Sequence, residues 1–313
     1  MTKIAATFNE LVDLWMPYHR QFIKESTYSN YSNIVDNHLL KDFHGEKLSI
    51  FTNQLLQKYV IDKCNNGSLK RNRLSVKTVK DIMVVFKLLL RYSFTYGLRD
   101  SFDLSVRYPK MTQSMKPMII TNKDIRKIVI TVSKGEDQKD IGILFSLLSG
   151  LRIGEICALR YGDICLQTDS ILVSRTLQRI YTKKDKTRII ETSPKTASSI
   201  RNIPLSIELK RVLDLKIKNQ EFYILSNSTK PVEPRLLRNR FNNILMLNKL
   251  PHYKFHALRH TFATKCIEIK IDYKTISTLL GHSNINTTLN LYVHPSHSQK
   301  KKAINKLTAS IIT

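Results

Sequence analysis

Two short motifs near the end of the chain constrain its fold and chemistry more than any other feature. HALRHTFAT spans residues 256–264, and LLGHSNINTTLNLYVH spans residues 279–294. Together they place two histidines, one arginine and one tyrosine within 37 residues of sequence: His256, Arg259, His282 and Tyr292. We predict that the fold brings these four side chains together in a pocket that binds a phosphate group.

The spacing inside each motif predicts helices that bring these side chains together. His256, Arg259 and His260 stand at positions i, i+3 and i+4, so they share one face of a helix. His256 and Arg259 are predicted to face the phosphate, and His260 to be a buried, hydrogen-bonded histidine. In the second motif, a glycine after ISTLL predicts a helix end, with His282 at the corner that follows. Tyr292, ten residues later, ends the next predicted helix and can reach back to the same pocket.

Two more cationic residues lie upstream, in SGLRIGE and in SPKTASSIRNIPL. Arg152 is predicted at a turn that leads into a helix N-terminus, a place that favours anions, with Glu155 one turn on to orient its guanidinium. Lys195 is predicted in a turn between strands, where a mobile lysine could act as a general acid. The residues alone leave other loop lysines as competitors for that role: Lys183, Lys184 and Lys186.

Cleavage of a phosphodiester requires positive donors on the non-bridging oxygens and a proton for the leaving oxygen. Arginine supplies both the charge and a fork that matches phosphate. Glu155 is the only acid near the motifs, so no carboxylate cluster is available to hold magnesium. The four cysteines have no CxxC spacing, which fits a reduced cytoplasm and neither a metal site nor a disulfide framework. No metal and no cofactor are therefore expected.

The charge of the chain indicates a polyanionic partner. The formal net charge is +26, from 51 basic and 25 acidic side chains, and this favours a nucleic acid partner over a merely solubilising surface. Residues 110–313 hold 35 of the basic and 15 of the acidic side chains, so most of the excess lies beside the motifs. No apolar run is long enough for a membrane span and the N-terminus has no signal-peptide pattern, so a cytoplasmic protein is expected.

The pattern along the chain predicts two domains of mainly α structure with a small antiparallel β-sheet. Residues 1–108 are predicted as a four-helix domain, residues 109–117 as a basic linker, and residues 118–313 as a second domain that carries the chemical motifs and a C-terminal tail. Helices are expected from Phe8, from near Ser26, at about 50–64 and at 75–97, where Ser75 caps the helix and Gly97 ends it. In the second domain Thr121 is predicted to cap the first helix. Further helices are expected at about 138–149, 206–218, 234–247, 256–269, 273–280 and 285–291. Strands are expected near 170–177, 187–192 and 200–204.

The first domain also carries candidate DNA contacts, at the predicted starts of two of its helices. A helix N-terminus in the major groove would place Ser75 and Lys77 at base edges. The other candidates would meet phosphates: Arg71, Arg73, Lys80, Ser26, Thr27 and Tyr28. An ordinary solvated basic face is an alternative for any one of them.

Taken together, the motifs from about residue 120 to 300 resemble the catalytic domain of the tyrosine recombinases, or phage integrase family. The helical pattern and size of residues 7–97 resemble the core-binding domain of that family more loosely. The resemblance implies that Arg152 and Arg259 clamp the phosphate, that Lys195 protonates the leaving 5′-oxygen, and that Tyr292 is the nucleophile. His256 would be a general base or phosphate contact, and His282 the second histidine.

The resemblance implies a site-specific recombinase that cuts and rejoins DNA through a 3′-phosphotyrosyl intermediate, to integrate, excise or resolve a mobile element. It implies a tetramer on two DNA sites, in which residues 296–313 dock on a neighbouring protomer, and it allows for accessory DNA-bending or directionality proteins. The helical pattern starts by residue 7, so no arm-binding domain is expected before it. A type IB topoisomerase and a non-catalytic DNA-binding regulator on the same fold are the alternatives.

Overall fold

The computed structural model describes residues 7–66, 73–98, 100, 103–110, 118–184, 186–193, 199–213, 219–292, 301, 304–305 and 307–309, without the side chains of residues 287 and 290–292. The chain divides into two compact units. The first comprises residues 1–115 together with 179–188, and the second comprises residues 116–178 and 189–313. In the described residues, no helix is both long enough and apolar enough to cross a membrane.

The first unit is helical, as the sequence predicts. Its helices are α1 (Phe8–Arg20), α2 (Glu25–Ile34), α3 (Leu40–Phe43), α4 (Asn53–Asn65) and α5 (Val76–Thr95). A π-helical turn at Val35–Leu39 joins α2 directly to α3, so these two form the second of the four predicted helical segments.

Helix α5 shows how the sequence specifies this unit. The Ser75 hydroxyl accepts the backbone N–H of Thr78 at 3.0 Å, which satisfies one of the unpaired donors at the helix start. Gly97, with φ of +66°, lies two residues past the end. Between them one face of the helix is fully buried and packs on aromatic rings of α1, with Phe86 and Phe8 stacked at 5.5 Å. The predicted cap and stop of this helix are both confirmed.

Residues 103–108 run along α4 in extended form. The amide side chain of Asn53 bonds the backbone of Asp103 and Ser105, and that of Gln57 bonds both backbone groups of Arg107. The alternate side chains pack against the core of the first unit: Leu104, Val106 and Tyr108. The segment up to residue 108 is therefore fixed to the first unit.

The second unit is also mainly helical and contains two small sheets. Its helices are α6 (Asn122–Lys134), α7 (Lys139–Ser149), α8 (Ile153–Ala158), α9 (Ile207–Val212), α10 (Pro234–Leu247), α11 (His256–Glu268), α12 (Tyr273–Leu280) and α13 (Ile285–Tyr292). The described strands are β1 (Ile164–Cys165), β2 (Ser170–Val173), β3 (Thr176–Thr182), β4 (Lys186–Thr192) and β5 (Arg201–Pro204). Of these, residues 179–182 of β3 and 186–188 of β4 belong to the first unit, and all other strand residues belong to the second. Strands β1, β2 and β5 form an antiparallel sheet in the order β1-β2-β5, and β3 pairs with β4.

The structure corrects two details of the sequence prediction. The single strand predicted at 170–177 is interrupted after Val173, so β2 and β3 belong to different sheets. Arg175 lies at the interruption and its Nη2 bonds both carboxylate oxygens of Asp163, at 2.6 and 2.7 Å, which fixes the bend. The helix predicted at 206–218 is described as α9 only to Val212, and residues 214–218 lie outside the described part.

Helix α7 forms the centre of the second unit. It is buried along most of its length and packs against α6, α8, α10 and α11. A buried ion pair fixes α10 to the start of α7, because Arg240 donates to both oxygens of Asp140 at 2.7 Å. The predicted cap Thr121 is confirmed, since its hydroxyl accepts the N–H of Asp124 at 3.2 Å.

Candidate active site

The candidate site is built round the C-terminus of α12. Gly281 adopts φ of +63° and ends the helix, which confirms the predicted C-cap. Its N–H bonds the carbonyl of Thr278 and the N–H of His282 bonds that of Ser277, each at 3.0 Å. The next three carbonyls of the chain, those of residues 279–281, accept side-chain donors instead.

Three guanidinium groups converge on these three successive carbonyls. Arg201 Nε donates to Leu279 O at 2.8 Å, Arg259 Nη2 to Leu280 O at 2.7 Å, and Arg152 Nη2 to Gly281 O at 3.2 Å. The last carbonyls of a helix have no partner within it, and they carry the negative end of the helix dipole. The end of α12 therefore stabilises three positive charges that would otherwise repel one another.

Arg152 lies directly before α8, at the turn that the sequence predicts. Its backbone N–H donates to Glu155 Oε2 at 2.9 Å and its Nη1 to Glu155 Oε1 at 2.7 Å, so the expected orienting role of Glu155 is confirmed. The Arg152 side chain stays 37% exposed while that of Glu155 is only 4% exposed. The guanidinium is thus fixed from one side and open to solvent on the other, as a phosphate clamp requires.

Arg259 is the more deeply placed of the two predicted phosphate arginines, with only 1% of its surface exposed. Nη1 donates to the carbonyl of Gly150 at 2.7 Å, so Arg259 joins the end of α7 to the end of α12. Gly150 has φ of +69°, and a Cβ there would lie 2.5 Å from the ring of Phe262, so the turn requires glycine. Arg259 therefore contributes to packing as well as to the charge of the site.

His282 contacts Arg259, and two neighbouring side chains determine which of its ring nitrogens carries the proton. Nε2 lies 3.0 Å from Arg259 Nη2, and Nδ1 lies 2.9 Å from the hydroxyl of the buried Thr288. A guanidinium only donates, so Nε2 must accept and the proton must be on Nδ1. Burial, and then the charges of Arg259 and Arg152, lower the pKa of His282 to about 4. The ring is neutral at physiological pH.

His256 and His260 share one face of α11, as the i, i+4 spacing predicts, with ring centroids 4.5 Å apart. His256 is exposed at the surface, yet crowding by protein atoms, the neighbouring His260 and the cationic arginines lower its pKa to about 4. It is a neutral group at physiological pH that can accept a proton. His260 is half-buried, and burial together with Arg259 lowers its pKa.

These lowered pKa values predict a loss of stability in mild acid. His256 and His282 have a pKa of about 4 in the folded chain, below the value of about 6.5 expected when unfolded. The unfolded chain therefore binds more protons between these values, and the free energy of unfolding should fall as pH drops from about 6.5 towards 4.

His282→Gln keeps an acceptor for Arg259 and a donor for Thr288 but cannot titrate. Its stability should depend less on pH between about 6.5 and 5 than that of the wild type. Urea unfolding is best followed by circular dichroism, because the single tryptophan, Trp15, lies in the first unit. Equal pH slopes in variant and wild type would contradict the prediction.

Several predicted site residues fall where the structure gives no side-chain information. Lys195 lies outside the described residues, three positions after the end of β4 at Thr192. Tyr292 is the last residue of α13, as predicted, but its side chain is not described. Arg71 also lies outside the described residues.

The candidate DNA contacts of the first unit lie at two helix starts. Arg73 and Lys77 are exposed beside the start of α5, while the Ser75 hydroxyl serves as the cap of that helix. The ammonium of Lys80 lies 5.1 Å from the centre of the Tyr108 ring. Ser26, Thr27 and Tyr28 lie in the first turn of α2 and are partly exposed, and the Tyr28 ring lies 5.1 Å from the Arg20 guanidinium.

Sequence reasoning missed two residues of this site, Arg201 and Thr288. One signal could have found Arg201: the short strand β5 alternates between buried and exposed positions, and Arg201 occupies a buried one. An arginine on the inward face of a strand needs a charged partner. Thr288 gives no comparable signal. In the described part of the chain, no cluster of three or more His, Cys, Asp or Glu side chains could hold a metal ion.

Comparison with known proteins identifies two regions of the chain. Residues 118–299 match the Phage integrase family, and residues 7–63 match the Phage integrase N-terminal SAM-like domain. The chain belongs to the phage integrase family. The resemblance drawn from the motifs is therefore confirmed, and so is the mainly helical fold with small antiparallel sheets.

Named relatives are recombinases and integrases. A tyrosine recombinase XerC-like protein of Caldanaerobacter subterraneus is 27% identical over 96% of this chain and 82% of its own length. The ICEBs1 integrase of Bacillus subtilis is 22% identical over 97% of this chain and 83% of its own.

Solved structures share the fold. The Tn1549 transposon integrase in complex with transposon right end DNA superimposes with a TM-score of 0.76 at 20% identity, covering 96% of this chain and 99% of that one. A lambda integrase tetramer bound to a Holliday junction gives a TM-score of 0.64 at 17% identity, over 90% and 79% of the two chains.

Proposed function

We propose that this chain is a site-specific DNA recombinase that cleaves and rejoins DNA through a covalent 3′-phosphotyrosine at Tyr292. Its proposed role is to integrate, excise or resolve a mobile element. The observation that carries the proposal is the set of guanidinium groups at the end of α12, with two neutral histidines beside them. Membership of the phage integrase family supports it.

The proposed chemistry is one transesterification in each direction. The Tyr292 oxygen attacks the scissile phosphorus, the bond to the 5′-oxygen breaks, and a 3′-phosphotyrosine and a 5′-hydroxyl result. Arg152 and Arg259 stabilise the negative charge that grows on the non-bridging oxygens. His256 accepts or shares the tyrosine proton, His282 supports Arg259, and Lys195 donates a proton to the leaving oxygen. The reverse attack by a 5′-hydroxyl of another strand rejoins the DNA.

The proposed partner is double-stranded DNA, bound by a tetramer on two sites. The relatives whose structures were solved on DNA, including the tetrameric lambda integrase, support this assembly. We also propose that the tail at 296–313 docks on a neighbouring protomer and that the exposed residues at the start of α5 contact DNA. Accessory DNA-bending or directionality proteins are compatible with this arrangement.

A pool of nicked duplexes of random sequence tests the function and identifies the target site in one experiment. Cleavage next to a nick releases a short strand, so the covalent complex cannot reverse and accumulates. We expect an SDS-stable protein–DNA adduct, and sequencing of the trapped DNA gives the site. Strand exchange between two intact duplexes carrying that site should follow. Relaxation of supercoils without exchange would indicate a topoisomerase, and binding without any adduct would indicate a regulator.

The same reaction should proceed in excess EDTA. Cationic side chains replace the metal in the proposed mechanism, and the phosphotyrosine bond conserves the energy needed for rejoining, so neither metal nor nucleotide is required. Adduct yield with and without chelator, on the sequence recovered from the pool, measures this directly. Loss of the adduct in EDTA and its return with magnesium would contradict the mechanism.

A substrate with a bridging sulfur in place of the 5′-oxygen isolates the role of Lys195. A thiolate leaves without protonation, so Lys195→Ala should cleave this substrate at close to the wild-type rate while it fails on the natural phosphodiester. Arg152→Ala should stay slow on both, because it lacks charge stabilisation and not a proton. Failure of the sulfur to restore cleavage by Lys195→Ala would exclude this lysine as the acid.

A further inference from the structure

Arg201 is a buried cation that none of the proposed chemical steps uses. It lies at the start of β5, 7% exposed, 43 residues beyond the end of α8 in the sequence. Its guanidinium donates to Glu155 Oε1 at 3.2 Å and Oε2 at 3.0 Å, and also to the carbonyls of Leu279 and Ser199. A cation this well buried and bonded at four points has a fixed position.

Each oxygen of Glu155 accepts one bond from Arg152 and one from Arg201. Oε1 accepts Arg152 Nη1 at 2.7 Å and Arg201 Nη1 at 3.2 Å. Oε2 accepts the Arg152 backbone N–H at 2.9 Å and Arg201 Nη2 at 3.0 Å. Burial alone would raise the pKa of Glu155, but the bonds and charges of Arg201 and then Arg152 outweigh it and keep the carboxyl ionised.

The charges of Arg152, Glu155 and Arg201 explain why a second arginine is needed beside Glu155. A lone carboxylate 2.7 Å from Arg152 would neutralise much of the positive charge that a phosphate clamp needs. With Arg201 also bound, the Glu155–Arg201 pair is neutral as a unit, so Arg152 is aimed by Glu155 and still keeps its charge. Arg201 is also tied to the α12 terminus that holds Arg152 and Arg259, through Leu279 O.

We propose that Arg201 is a positioning residue for DNA cleavage: through Glu155 and the end of α12, it orients Arg152 towards the scissile phosphate and preserves its charge. This inference rests on the proposed recombinase function. Gly281 is consistent with it, because a Cβ at that position would lie 2.8 Å from Arg201 Nη1, so the glycine leaves space for the guanidinium.

Arg201→Lys keeps the positive charge but cannot bond both oxygens of Glu155 and Leu279 O together. We expect cleavage at saturating protein to fall about 10- to 100-fold, as for other misplaced catalytic groups. DNA affinity should change little. Arg240→Lys is the matched control, because Arg240 makes a similar two-point bond to the buried Asp140 but contacts none of the α12 carbonyls in the described structure. Arg240→Lys should lower the free energy of unfolding and leave the rate of cleavage by the folded protein unchanged.

A methylphosphonate at the scissile position separates positioning from a general structural defect. This group replaces one charged non-bridging oxygen by a methyl group, so it depends less on the charge of Arg152. Arg201→Lys should cleave it at close to the wild-type rate, as should Arg152→Ala. Equal slowing of Arg201→Lys on both substrates, or no slowing on the phosphodiester, would overturn the inference.

Glu155→Gln provides a second variant if Arg201→Lys fails to fold. It keeps the side-chain shape but replaces one of the two acceptor oxygens by an NH2 donor, so Arg152 and Arg201 can no longer both be held as in the wild type. The variant should therefore show the same dependence on the methylphosphonate. If it cleaves the phosphodiester like the wild type, Arg201 does not act through Glu155. Absence of any adduct from the wild-type chain is a different result, since it would contradict the proposed function itself.

Discussion

Tyr292→Phe should abolish the covalent protein–DNA adduct on a nicked duplex that carries the recovered site. Phenylalanine keeps the ring and loses the only atom that can attack phosphorus, so no slower version of the same reaction remains. A free phenol ionises only near about pH 10, so a tyrosine must be activated by its neighbours before it can attack. In the proposed mechanism the cationic pocket activates Tyr292 and no other tyrosine. Binding to the intact site should be unchanged.

Tyr273→Phe is a suitable control for that experiment. Tyr273 is the first residue of α12 and is 40% exposed, so the loss of its hydroxyl should affect neither folding nor adduct formation. Peptide mapping of the wild-type adduct adds an independent test, because the DNA remnant should be found on the peptide that contains Tyr292. An adduct that persists in Tyr292→Phe and maps to another residue would contradict the assignment.

Features set by neighbours in the sequence were predictable. The caps Ser75 and Thr121, the helix end at Gly281, and the bond from Arg152 to Glu155 depend on residues within a few positions of one another. Turn and cap chemistry is local, so short patterns specify it. The family motifs added a prediction of which residues form the candidate site and in what order they occur along the chain.

Features that depend on distant partners were not predictable. Arg201 pairs with a carboxylate 46 residues earlier and a carbonyl 78 residues later, and no local pattern indicates either partner. The same reasoning explains the division of the strands into two sheets. The alternating sequence of 170–177 fits one strand, and only the bond of Arg175 to Asp163 shows why it bends.

The structure also changes which arginine is the better probe of transition-state stabilisation. Arg259 is 1% exposed and bonds the carbonyls of Gly150 and Leu280, so Arg259→Ala would leave both without a partner and destabilise the fold. A loss of cleavage in that variant would combine folding with chemistry. Arg152 has a 37% exposed side chain and is the cleaner site for substitution.

Arg152→Lys should therefore lower the rate of cleavage by about 100- to 1000-fold, since loss of one such donor costs about 2.7–4 kcal/mol in the transition state. Arginine can bond Glu155 and Gly281 O with two N–H groups and present others to the phosphate, whereas a lysine ammonium has only three donors and no planar fork. DNA affinity should fall far less, because the positive charge is retained and the other proposed DNA contacts are unchanged. Single-turnover cleavage and equilibrium binding on the same site measure the two effects, with Arg240→Lys again as the control. Equal losses in rate and in affinity would show that Arg152 is an ordinary phosphate anchor, whose contact is as strong in the ground state as in the transition state.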